Sequence, residues 1–426
     1  MNKENIKWIA IQPLTGGMYL GAEEAIGHPA EFILSFEGLN CCELKEDGTY
    51  KSCGNEFYLQ KYLEKHGRNP IRYDIKGGMY DSKLNETLKP TILYNGSPID
   101  FEKECKDIDI AVAVPVCSGL SMATTASQDT KDERNCNMKF IAKYTLNVIK
   151  PKIYVFENAP TLMGSRGIGL VEEFKDMAKE AGYSVLFYKT NTKYHHNCQN
   201  RPRTFVVFFK HIGNNENEEP FVWEYENAFI SIKEYFSKID NTLNGESLPT
   251  SKHNWVVIDF VKKLYGDNWR DCVEGNIMSQ IIRNGQLEAL KEFASKYEDS
   301  DKVIKYIDHI IYKKSLGKNY YQDDICLCKE HFPAVQFRSM YNMLHPTEDR
   351  ICSIRENLAL MGHPDDFEWL TGDDRTHLPK IGQNVPVKTA KFIVEQCVKS
   401  LEKWNDERGT ERNASFQDNT KGIKVW

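Results

Sequence analysis

Short apolar runs alternate with amphipathic stretches through the first half of the chain, and the alternation predicts a fold. Trp8 to Ile11, Phe32 to Phe36, Ile108 to Val114, Ile153 to Phe156, Val185 to Tyr188 and Thr204 to Phe209 are apolar-rich runs bounded by polar or turn residues. That is the pattern of strands buried on both faces of a sheet. Between them, Ala22 to Ile26, Tyr58 to His66, Phe140 to Val148 and Leu170 to Ala181 carry the spacing of helices that bury one side. Strand and helix in turn predict an α/β, Rossmann-like architecture on a doubly wound, mostly parallel sheet. The Asn- and Glu-containing segment Gly213 to Pro220 breaks the pattern and marks a boundary, and from Phe221 to about His345 the periodicity is mostly helical. Val387 to Leu401 reads as one long helix begun by Pro386, followed after Trp404 by a charged tail expected to fray. No internal repeat interrupts this order.

A chain of 426 residues has room for two domains and a large core. Its net charge of −6 offers no whole-molecule attraction to nucleic acid, so any grip on DNA must come from a local basic face. The twelve cysteines have no framework spacing, the N-terminal residues lack a charged-then-apolar signal pattern, and no apolar run reaches membrane-spanning length. These features predict a cytoplasmic protein whose cysteines are thiols or ligands rather than bridges. Cys326, Cys328 and His331 are too tightly spaced, and short of a fourth ligand, for a zinc site, so no metal is expected.

Chemistry concentrates in five blocks. Pro115-Val116-Cys117-Ser118-Gly119-Leu120-Ser121 leaves the apolar run at Ile108 to Val114, which puts a cysteine where the carboxyl end of a parallel strand meets a loop. Glu157-Asn158 closes the next strand. Gln199-Asn200-Arg201-Pro202-Arg203 opens another, Arg350 to Phe367 carries RICSIRENLALMGHPDDF, and Gly382 to Val387 reads GQNVPV. In this order the blocks resemble those of the DNA cytosine-5 methyltransferases: the Pro-Cys-Gln-x-x-Ser loop, Glu-Asn-Val, Gln-x-Arg-x-Arg, Arg-Glu-x-x-Arg-Leu-Gln-Gly-Phe-Pro and Gly-Asn-x-Val-Pro. Ordered blocks at plausible separations are far more specific than any one of them.

The resemblance implies a catalytic domain over residues 1–212, a smaller, mostly helical target-recognition domain over 213–345, a return to the catalytic domain over 346–404 and a polar tail over 405–426. It implies a methyl transfer from S-adenosyl-L-methionine to C5 of a flipped-out cytosine, with Cys117 as the thiolate that adds at C6. Glu157 is implied as the acid at N3, with Arg203 and, more structurally, Arg201 binding O2. Thr15-Gly16-Gly17 resembles the end of the family's Phe-x-Gly-x-Gly-Gly cofactor turn. Glu37 resembles the acid for the ribose, and Asp74, with Ile75 beside it, the acid for the adenine. Pro115, whose carbonyl would face the cytosine amino group, and Asn384, near the methionine portion, complete the expected cofactor site. Ser121, Arg134 and Gln199 are implied as nucleic-acid contacts. Gln12, Leu14, Val116, Ser118, Ala159 and Gln383 depart from the family blocks. Leu14 in place of glycine narrows the backbone options of the cofactor turn. The implied partners are double-stranded DNA and a cognate restriction endonuclease, with the chain itself a monomer of bacterial or phage origin. A tRNA cytosine-5 methyltransferase, and a non-catalytic DNA-binding protein on the same fold, are the alternatives.

Overall fold

The computed structural model describes residues 2–44, 46, 50–77, 80–81, 86–87, 90–115, 120, 135–211, 227–297, 300–317, 325–334, 340–370 and 377–410. The predicted strands are present: β1 (Trp8–Ile11), β2 (Phe32–Phe36), β6 (Ile110–Ala113), β7 (Ile153–Asn158), β8 (Tyr183–Asn191) and β9 (Pro202–Lys210). Three more, β3 (Ile71–Lys76), β4 (Thr91–Tyr94) and β5 (Ser97–Pro98), extend the sheet on one side. They escaped the apolar-run criterion because β3 is half exposed and alternates Arg72, Asp74 and Lys76 with its apolar residues, while β4 and β5 are only four and two residues long.

The sheet has nine strands in the order β8-β9-β7-β6-β1-β2-β3-β4-β5. From β3 through β7 neighbouring strands are parallel, whereas β9 runs antiparallel to both β7 and β8. Chain order reverses between β1 and β6, and the helices that follow them, Gly17–Ile26 and Cys136–Tyr144, pack on opposite faces, the arrangement that places a crevice at the carboxyl edge of such a sheet. The antiparallel β9 brings its own beginning to the same edge.

Successive residues of the central strands enter different cores. Trp8, Ala10, Ile110, Val112 and Val155 face one side, with α1 (Gly17–Ile26), α2 (Phe57–Lys65) and α9 (Val387–Thr410). Ile9, Ile11, Ala111, Ala113, Tyr154 and Phe156 face the other, with α3 (Cys136–Tyr144) and α4 (Ile168–Ala181). The helix expected over Phe140 to Val148 is α3 followed by a π-helical turn, Thr145–Ile149. The first core continues without a break into the predicted helical segment, where α5 (Lys252–Tyr265), α6 (Leu287–Ala294) and α7 (Ser300–Ser315) bury Val256, Ile258, Leu290 and Ile307. The boundary expected at Gly213 to Pro220 lies outside the described residues.

The block at Arg350 to Phe367 is an architectural device. Ser353 and Glu356 form a reciprocal capping box on α8 (Ile354–Leu360), and Arg350 grips Glu356 through both terminal nitrogens. Helix α9 runs past Trp404 to Thr410, so the expected fraying does not begin where the sequence placed it. One pair departs from the expectation that the cysteines are thiols: Cys42 and Cys53 are joined across a short hairpin, where the antiparallel register sets them directly opposite each other. Among the described residues no helix is long and apolar enough to cross a membrane.

Candidate active site

Glu157 is the second-last residue of β7, and the register pairs it with Phe205 of β9. Side chains on a strand alternate between faces, so Arg203 and Arg201, two and four residues before Phe205, share the face of Glu157. The structure brings the first of them into contact: Arg203 Nε donates to Glu157 Oε1 at 2.6 Å. Glu157 is buried, and that burial pushes its pKa above the ordinary carboxylate range while Arg203 and Arg201 pull against it. Desolvation is the larger effect, so the carboxyl holds a proton more readily than an exposed glutamate. Ala113 of β6 pairs with Phe156, so the carboxyl stands beside the chain that leads from β6 into Pro115. Pro115 is buried at this edge. Cys117, Ser121 and Arg134 lie outside the described residues.

Arg201 plays a different part. Its Nη2 donates to the carbonyls of Gly382 and Asn384, both at 2.7 Å, and only 2% of the residue is exposed. It therefore pins the closing GQNVPV block to the start of β9. Gln199 is fully buried and its Nε2 donates to the carbonyl of Leu360 at 2.9 Å. The structure uses it as an interior strut to α8.

The turn from Gln12 to Gly17 joins β1 to α1 at the same edge. Gln12 and Leu14 take φ of 51° and 53°, the left-handed region, and Gly16 follows at 99°. Leu14 thus occupies a glycine conformation with a branched side chain. Thr15 donates to the carbonyl of Lys380. Gly17 has no room for a side chain: a Cβ there would lie 1.8 Å from the carbonyl oxygen of Val385. Its amide instead donates to Asn384 Oδ1 at 3.0 Å, which satisfies one of the orphan N–H groups at the start of α1. One turn on, Gly21 also lacks room, since a Cβ there would lie 2.5 Å from Ala390 Cβ and 2.6 Å from the carbonyl oxygen of Val387 in α9. The first and last elements of the chain thereby close on each other through two glycines four residues apart.

On the other flank, Glu37 is exposed just beyond β2, its amide bonded to the carbonyl of Ile75 at the end of β3. Asp74 pairs with Arg72 Nε at 3.1 Å, and Arg72 Nη1 also binds the fully buried Glu56, which accepts the Ser35 hydroxyl. Burial raises the pKa of Glu56 against the pull of Arg72. Ser35, Glu56 and Arg72 escaped the sequence reading. The alternating charges of Ile71–Lys76 were the available signal for Arg72. His363 also escaped it, although it stands where the corresponding block has phenylalanine.

The sequence profile of the C-5 cytosine-specific DNA methylases matches residues 82–399, three-quarters of the chain. The chain belongs to that family. By this membership the methylase is a DNA (cytosine-5) methyltransferase. A protein of Methanocaldococcus jannaschii named "Putative type II methyltransferase" is 36% identical to the methylase over 319 residues, 71% of this chain and 82% of the relative. The type II methyltransferase M1.HphI of Haemophilus parahaemolyticus is 25% identical over 69% of each chain. In fold, the methylase is similar to the methyltransferase EhMeth of Entamoeba histolytica, with a TM-score of 0.51 at 12% identity over 94% of this chain and 98% of that one.

Proposed function

We propose that the methylase acts on double-stranded DNA through a covalent adduct between Cys117 and C6 of a flipped-out cytosine, with S-adenosyl-L-methionine as methyl donor. The observation that carries this reading is the buried Glu157–Arg203 pair at the carboxyl edge of the sheet, beside the strand that leads to Cys117. Chain connectivity keeps the Cys117 Cα within about 7 Å of that of Pro115.

Addition of a thiolate at C6 places negative charge on the ring. A protonated Glu157 relieves it by donating at N3, and its raised pKa suits that task. Arg203 holds the carboxyl in place and supplies fixed positive charge as the ring becomes anionic. Because C6 is covered by neighbouring bases in a duplex, the cytosine must leave the stack to reach these groups. The helical middle segment is the part that reads the flanking sequence.

The residues present fit the donor. The turn over 12–17 lies at the carboxyl edge of the sheet, and Gln12 there holds a buried Oε1 with no hydrogen-bond partner. Thr15, Gly16 and Gly17 would hold the amino-acid end, Glu37 the ribose hydroxyls, and Asp74 with Ile75 the adenine. S-adenosylmethionine, when bound, supplies an electrophilic methyl carbon. Asn384 is engaged with Gly17, Val385 and His363, so its part is to shape the turn.

The test is transfer of labelled methyl groups to duplex DNA and to tRNA in parallel. Label in DNA at C5 of cytosine supports the reading; label confined to tRNA overturns it.

A further inference from the structure

The Asn384 carboxamide can be oriented from its neighbours alone. Two backbone amides, Gly17 N–H at 3.0 Å and Val385 N–H at 2.9 Å, point at one end, which must therefore be the oxygen. The Nδ2 end then faces His363 Nε2 at 3.2 Å. Nδ2 only donates, so Nε2 must present its lone pair and the imidazole proton must sit on Nδ1. That Nδ1–H is buried and meets no acceptor in the structure, a cost the ring bears in order to accept from Asn384.

Everything around His363 holds it in this state. The residue is 4% exposed and its ring stacks on Phe367 at 4.3 Å. Arg355, bound to the carbonyls of Pro364, Asp365 and Phe367, fixes the loop that follows. Burial and the Arg355 charge push the imidazole pKa down to about 3, so the neutral ring persists. Arg201 meanwhile grips the Asn384 carbonyl, so the residue is held by both its backbone and its side chain.

We propose that His363 is a positioning residue for the methyl-donor site: its Nε2 fixes the Asn384 carboxamide, whose oxygen holds the Gly17 amide and the first turn of α1. The inference rests on the reading of the Thr15–Gly17 turn as part of the S-adenosylmethionine site. His363 touches neither donor nor base; it acts through Asn384.

The full-length protein tests this with two variants and one spectrum. His363→Leu fills much of the same space but removes the acceptor, whereas His363→Gln returns an oxygen near the place of Nε2. Calorimetric titration with S-adenosylmethionine should show binding about tenfold weaker in His363→Leu and within about threefold of wild type in His363→Gln. KM for the donor should rise in His363→Leu while kcat changes little, the signature of lost ground-state binding. Nitrogen NMR of the wild-type imidazole should show Nδ1 protonated and Nε2 bare. Unchanged affinity in His363→Leu, equal weakening in both variants, or a protonated Nε2 would each overturn the proposal. Wild-type protein with the expected tautomer but no affinity for S-adenosylmethionine would overturn the reading of the donor site, and this inference with it.

Discussion

Replacing Gly17 by alanine should separate the two ends of the chain where they close on each other. The added Cβ would sit 1.8 Å from the Val385 carbonyl oxygen, and such atoms do not approach within 3.0 Å, so the backbones must part by about 1.2 Å (3.0 less 1.8). The obstacle is main chain, which Arg201 holds from behind, so no side-chain rotation relieves it. Overpacking of this kind costs about 1–3 kcal/mol, and the strained Gly17–Asn384 bond about 1 more. Alanine's preference for helix over glycine returns up to about 1 kcal/mol. The net loss is about 1–4 kcal/mol. At about 2.1 cal/mol/K per residue the unfolding entropy of 426 residues is about 0.9 kcal/mol/K, so the melting temperature should fall by about 1–4 °C if the chain unfolds as one unit. The sharper readout is the rise in melting temperature on adding S-adenosylmethionine, which should shrink or vanish because the turn is displaced. Gly27→Ala is the control: that residue caps the far end of α1 at φ 100° with nothing within 4 Å, so it should lose stability yet keep the full ligand-induced rise. A Gly17→Ala protein with wild-type melting and a wild-type response to S-adenosylmethionine would refute the reasoning.

Glu157→Gln should slow methyl transfer at least a hundredfold, since a carboxamide keeps the shape but holds no transferable proton; an unchanged single-turnover rate would remove Glu157 from the acid role. In the wild type, the same group should make the rate fall as pH rises through a pKa above 4.5, and that limb should be missing in Glu157→Gln. The sign for stability follows: a folded pKa above the unfolded one means the charged form costs stability above the folded pKa, and the cost fades as pH falls through it. Urea midpoints of wild type and Glu157→Gln, taken against pH, should therefore converge towards acid. Leu14→Gly should relieve about 1–2 kcal/mol of left-handed strain but forfeit a leucine that is only 8% exposed, worth about 2–5 kcal/mol. A net loss of stability in urea titration is expected, and a gain would show that the side chain contributes little to the core.

The sequence was most legible where period and chemistry coincided. Arg201 and Arg203 alternate at the start of β9, so their spacing alone marks one side of that strand, and the register with β7 makes it the side of Glu157. Roles within that set were less legible. Nothing local distinguishes Arg203, which meets the carboxyl, from Arg201, whose partners Gly382 and Asn384 lie some 180 residues away. The partner of Gln199, the carbonyl of Leu360, likewise lies far along the chain. Leu14 departs from glycine, and its φ of 53° holds a branched side chain in a backbone conformation that favours glycine. The Ser35–Glu56–Arg72–Asp74 network joins two strands and a helix through side chains alone, so no single window of sequence displays it.

The central claim, that Cys117 attacks a flipped cytosine beside Glu157 and Arg203, is tested most directly by trapping. Duplex DNA containing 5-fluorocytosine, incubated with methyl-labelled S-adenosylmethionine, should yield a labelled protein–DNA adduct that survives a denaturing gel. The fluorine at C5 cannot leave as a proton does, so the covalent intermediate accumulates. The adduct should be absent with Cys117→Ala, although that variant still binds DNA. Methyl transfer to cytosine without any adduct, or an adduct that persists in Cys117→Ala, would contradict the account.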